Sequence, residues 1–126
     1  YPLRHVLYRA DRGWHPTTCL KAIPIGPRDG WCDDTQSAAY NRPVRFPFAH
    51  SAEHLRRRDR LYDQIVVLGH NDDPVVPGLG SAIFVHVAQA DYRATLGCVA
   101  LAPRDLAYVL RLAQPQSRLH VLEPPR

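Results

Sequence analysis

Two runs of apolar, largely β-branched residues constrain the fold of this chain more than anything else in it: Ile65-Val66-Val67-Leu68 within 63–69, and Ile83-Phe84-Val85-His86-Val87 within 81–88. Neither alternates with polar residues, and both are too short for a core helix, so each reads as a strand buried on both faces. Strands of that kind need a covering layer on each side. A third, short strand is read over 97–101, and Pro103 then stands at the first position of a helix with Leu106, Val109, Leu110 and Ala113 on one stripe.

The remaining segments carry weaker patterns. Residues 3–9 alternate imperfectly, with Leu3, Val6 and either Leu7 or Tyr8 competing for a buried face, and Asp11-Arg12-Gly13 reads as the following turn. Ser51-Ala52-Glu53-His54 reads as a capped helix start, with Ser51 as the cap and Glu53 in the first turn. From 16 to 47 Pro, Gly, Asp and Asn recur with few periodic apolar positions, which reads as a long ordered loop anchored by Trp31, Tyr40, Phe46 and Phe48. Residues 117–122 read as a last strand. The sum is a mainly β fold with two helices and no internal repeat, and residues 1–126 suit one domain.

Composition narrows the function by exclusion. No stretch approaches the roughly 18 apolar residues that cross a bilayer. The formal charge of +4 comes almost wholly from arginine, with Lys21 the only lysine. Its densest cluster, Arg56-Arg57-Arg58 with Arg60, is interleaved with Glu53, Asp59 and Asp63 and carries no alternating aromatics, so it reads as a solvated face and not as a nucleic-acid surface. Cys19, Cys32 and Cys98 form no CxxC pair and no zinc spacing with the seven histidines, so no metal or other cofactor is expected. An odd count leaves at least one free thiol, and if Cys98 is reactive only Cys19 and Cys32 remain to pair.

Cys98 and His86 are the chemically suggestive residues. A thiol is a weak nucleophile until an imidazole within hydrogen-bond reach takes its proton, and these two stand on neighbouring strand ends. Gly97 lets backbone N–H groups approach a substrate carbonyl closely, and Thr95 brings a hydroxyl. Plainer roles stand beside these: Cys98 as a small buried hydrophobe, and His86 as a satisfied core group among Phe84, Val85 and Val87. Asp33 and Asp34 read either as groups for a substrate amine or amide or as Asx-turn formers. Tyr40 and Asn41 divide between substrate contact and loop anchoring, and His70 with Asn71 between a site-facing strand end and a turn.

His86, then Thr95-x-Gly97-Cys98-Val99, then a helix opened by Pro103 resemble, in order and spacing, the L,D-transpeptidase catalytic domain family. Gly30-Trp31-Cys32-Asp33-Asp34, Tyr40-Asn41-Arg42-Pro43-Val44 and the run from Leu61 to Gly69 look like a short bacterial branch of it. Two positions depart from the family pattern: Thr95-Leu96 replaces the usual serine before Gly-Cys, and Ala100 stands where an arginine is common. The resemblance implies the family's mixed β fold, with further N-terminal strands packing beside those present here. It implies Cys98 as nucleophile, His86 as proton acceptor and donor, and an oxyanion site at Gly97 and Cys98, with Thr95 orienting His86 or donating to the intermediate. Trp31, Asp33, Asp34, Tyr40, Asn41 and His70 become the expected substrate-binding residues. The implied substrates are peptidoglycan stem peptides: a tetrapeptide donor loses D-alanine and the acyl group passes to an acceptor amine, or to water in a carboxypeptidase. Carbapenem-type inhibitors are expected at the same cysteine, and the periplasm or cell envelope is the expected location. Sortase-like and papain-like enzymes fit less well, the first placing its histidine much farther upstream and the second placing cysteine before histidine. A non-catalytic cell-wall binding module of the same fold is the rival of a different class.

Overall fold

The computed structural model describes residues 1–88 and 98–122. Its larger sheet has five strands in the order β2-β1-β6-β7-β8, formed by β1 (Leu3–Tyr8), β2 (Ala22–Pro24), β6 (Gln64–Leu68), β7 (Phe84–Val87) and β8 (Val99–Leu101). The centre, β1-β6-β7, is antiparallel, and each edge strand pairs in parallel. A smaller antiparallel sheet, β4-β3-β5, is built from β3 (Asp29–Cys32), β4 (Pro43–Arg45) and β5 (Ala52–His54).

Every residue of β6 and of β7 is buried, as their unbroken apolar runs require. Toward one face of the large sheet, Val66, Leu68, Val85 and Val87 join Leu3 and Val6 and pack against Leu106 and Leu110 of the helix α1 (Pro103–Leu112) and against Ala113 at its C-terminal cap. Toward the other, Ile65, Val67, Phe84 and Leu7 pack with Trp31 of the small sheet and with Leu55 and Tyr62. The molecule is therefore layered as helix, large sheet and small sheet, with one core on each side of β6 and β7.

Several sequence expectations are corrected. The helix read from Ser51 is strand β5: it pairs with β3 through Gly30↔His54, Trp31↔Glu53 and Cys32↔Ala52, and so covers backbone groups of β3 that a helix would leave unpaired. Among the described residues α1 is the one α-helix, accompanied by a 3-10 turn at Ala10–Arg12 where the turn after β1 was expected. The long loop of 16–47 contains β2, β3 and β4, strands of three or four residues that are too short to display an alternating pattern. The last strand, 117–122, reduces to a bridge between Pro2 and Arg118 flanked by reciprocal bonds between Tyr1 and Leu119 and by a bond from the Leu3 N–H to the Ser117 carbonyl. On α1, Val109 is exposed; the buried stripe is Leu106, Leu110 and Ala113.

Of the candidates for the buried face of β1, Leu3 and Val6 enter the helix-side core and Leu7 the inter-sheet core. Ion pairs join parts of the arginine cluster and the turn after β1 to nearby carboxylates. Arg56 and Arg9 meet Asp11 at 3.0 and 2.8 Å, Arg57 meets Asp59 at 2.6 Å, and Arg12 meets the buried Asp63 at 2.6 Å.

Candidate active site

In the parallel pair β7-β8, Val85 lies opposite Val99 and His86 opposite Ala100. Alternate residues of a strand share a face, so Phe84 and His86 on β7 stand on the same side as Ala100 and the preceding Cys98. That side is the inter-sheet core: Phe84 is fully buried in it and Cys98 packs against it. Thiol and imidazole thus occupy adjacent strands of one surface, offset by one pleat.

His86 is buried, and its Nδ1 lies 2.9 Å from the carbonyl oxygen of Val87. A carbonyl only accepts, so Nδ1 is the donor here and Nε2 is the ring nitrogen left to exchange a proton with a neighbour. The Tyr62 ring stands edge-on to the imidazole at 5.7 Å between centroids and restricts its orientation.

Cys98 is half-buried and its Sγ donates to the carbonyl of Ala82 at 3.3 Å. Burial pushes the thiol pKa up; a hydrogen bond from the Phe84 backbone opposes the rise, and the Glu53 carboxylate adds to it. Ala82 itself is buried with φ of +58°, a left-handed conformation that costs a non-glycine residue about 1 kcal/mol or more. Its N–H donates to Asn41 Oδ1 at 3.3 Å while its carbonyl faces the thiol, so the strained residue is held from both sides.

Beside this pair lies a contact that the sequence reading missed. The Tyr62 hydroxyl donates to Glu53 Oε1 at 2.6 Å, and burial with the adjacent carboxylate pushes the Tyr62 pKa up. Glu53 lies opposite Trp31 in the β3-β5 register, and Trp31 packs edge-on against Phe84 at 5.2 Å, so Glu53 shares the face that looks toward the large sheet. The Leu61 carbonyl accepts from the Val87 N–H at 3.0 Å, tying the turn that carries Tyr62 to β7. Nothing local signals the Glu53–Tyr62 pair, because its members come from different layers.

The expected substrate-binding residues fall into two groups. Trp31 donates from Nε1 to Asn41 Oδ1 at 3.0 Å, and Asn41, at φ of +57°, donates from Nδ2 to the carbonyls of His70 and Asn71 at 3.0 and 2.7 Å. The Tyr40 hydroxyl accepts from the Gly80 N–H at 3.2 Å, and His70 Nε2 meets the Leu79 carbonyl at 2.9 Å. Gly80 is required here: its φ is +122°, and a Cβ would lie 2.8 Å from His70 Nε2. Trp31, Tyr40, Asn41 and His70 therefore form one network that ends on Ala82 and so on Cys98.

Asp33 and Asp34 form the other group. Asp33 accepts from the Ser51 hydroxyl at 2.7 Å. Asp34 accepts from the Gln36 and Ser51 N–H groups at 2.9 and 3.3 Å, bonds that hold its pKa below the usual carboxylate value, and His50 lies at 3.4 Å. Both aspartates brace the entry to β5, the strand that carries Glu53.

Thr95 and Gly97 lie outside the described residues. Among the described residues none of the three cysteines is in a disulfide; Cys19 is exposed, Cys32 buried and Cys98 between the two. Among the described residues no group of three His, Cys, Asp or Glu side chains is placed to hold a metal ion, and no helix is long and apolar enough to cross a membrane.

No curated protein and no solved structure matches this chain. A family model does, over residues 1–121: that of the YkuD L,D-transpeptidase catalytic domain, the family to which the chain belongs.

Proposed function

We propose that the protein is a peptidoglycan L,D-transpeptidase that works in the cell envelope through Cys98 and His86. The observation that carries this reading is the placement of both side chains on one face of β7 and β8, with the His86 Nδ1 proton committed to the Val87 carbonyl and Nε2 left as the proton acceptor. Burial pushes the Cys98 pKa up and so favours the thiol at rest. His86 then acts as general base as Sγ attacks the carbonyl preceding the terminal D-alanine of a tetrapeptide donor. Backbone N–H groups at Gly97 and Cys98 hold the oxyanion in this reading, with Thr95 orienting His86. D-Alanine leaves with the proton that His86 accepted, and the thioester passes to an acceptor amine or to water.

In this reading the network of Trp31, Tyr40, Asn41 and His70 supports Ala82, whose carbonyl accepts from the thiol, and Asp33 and Asp34 brace the entry to β5. Intact-mass measurement with a carbapenem tests the assignment. One adduct per chain is expected on the wild type and none on Cys98→Ala, and His86→Gln is expected to slow acylation about 100-fold. A wild type that stays unmodified while folded and reduced would favour a non-catalytic binding module. An adduct that persists on Cys98→Ala would refute the nucleophile.

A further inference from the structure

Glu53 is half-buried, its Oε1 is held by the Tyr62 hydroxyl, and among the described residues it takes part in no ion pair and its second oxygen has no hydrogen-bond partner. The neighbouring cation Arg57 lies over the Tyr62 ring at 5.2 Å and interacts with Glu53 through its charge, but its guanidinium hydrogen bonds, of 2.9 and 2.6 Å, go to Asp59. For a nucleophile that must become a thiolate, a nearby carboxylate is a hindrance, and Glu53 does raise the pKa of Cys98. A negative group in such a place acquires a purpose when a cation arrives. We infer that Glu53, held by Tyr62 beside the Cys98–His86 pair, receives the ammonium group of the acceptor and so decides whether the acyl group passes to an amine or to water.

This rests on the proposed transpeptidase reading and names the acceptor class for the same site: a primary amine that is protonated before it reacts. The carboxylate binds the ammonium, which gives one proton to Nε2 of His86. The nitrogen lone pair then forms the amide bond to the thioester carbon while the C–S electron pair returns to Cys98 Sγ. The second nitrogen proton passes to Sγ and restores the thiol, and His86 releases the first proton to solvent. Glu53 stays a carboxylate throughout.

Glu53→Gln keeps the volume and still accepts from the Tyr62 hydroxyl, so only the charge is removed. The enzyme is acylated with a disaccharide tetrapeptide, and the ratio of amide product to hydrolysed tripeptide is measured with two acceptors: a simple primary alkylamine, cationic at neutral pH, and hydroxylamine, uncharged there. The variant is expected to lower the ratio for the alkylamine about tenfold or more while the ratio for hydroxylamine moves less than about twofold. If its melting temperature shows that Glu53→Gln is poorly folded, Tyr62→Phe serves in its place, with a raised KM for the alkylamine expected and none for hydroxylamine. Equal changes for both acceptors, or no change for the alkylamine, would overturn the role of Glu53 and leave the transpeptidase reading standing. Failure of the wild type to release D-alanine at all would overturn both.

Discussion

At the scale of single residues, the site is governed by what surrounds one sulfur atom. Cys98 donates to the carbonyl of Ala82, whose own backbone is held in a left-handed conformation, and Glu53 and burial both favour the thiol over the thiolate. His86 and Tyr62 are the other titratable groups at this point, and the second has its own pKa pushed up. A raised pKa means that less thiolate is present at neutral pH than for an ordinary thiol. Alkylation of Cys98 by iodoacetamide is therefore expected to keep accelerating beyond pH 9, the ordinary midpoint, and a plateau near neutral pH would show a resting thiolate–imidazolium pair instead. Cys98 and His86 stood out in the sequence through the Thr95-x-Gly97-Cys98 run with His86 upstream, and the pairing of buried β7 with half-buried β8 sets them on one face. Ala82 and Glu53 did not stand out: the first has no local signal for a positive φ, and the second depends on a register between strands invisible in an isolated window.

At the scale of elements, legibility follows length and burial. Strands β6 and β7 stand out because both their faces are buried, which forces an unbroken apolar run. Helix α1 stands out by Pro103 and the spacing of Leu106, Leu110 and Ala113, yet Val109 proves exposed because the helix meets the sheet along a narrow stripe. Urea unfolding checks this: Leu106→Ala is expected to cost about 3 kcal/mol and Val109→Ala less than about 1 kcal/mol. Equal losses at the two positions would mean that the helix sits rotated on the sheet. The small sheet was hidden because its strands are brief and its pairing spans the turns between them. β5 resembled a helix start only because serine and glutamate also serve as caps.

At the scale of the whole molecule, the two sheets divide the labour. The large sheet carries His86 on β7 and places Cys98 at the start of β8; the small sheet brings Glu53 and Trp31 to face them, and Tyr62 bridges the two. The polar network through Asn41 joins the small sheet to the turn after β6, and Arg12 ties the turn after β1 to Asp63 just before β6. Over residues 1–121 the chain belongs to the YkuD L,D-transpeptidase family, and the proposed acyl transfer would take place between the two sheets. The most direct measurement incubates the protein with a disaccharide tetrapeptide and follows D-alanine release and cross-linked dimer by mass spectrometry, beside Cys98→Ala. Release and dimer from the wild type, both abolished in the variant, are expected. Turnover that survives loss of the Cys98 thiol, or a folded and reduced wild type that releases no D-alanine, would contradict the account.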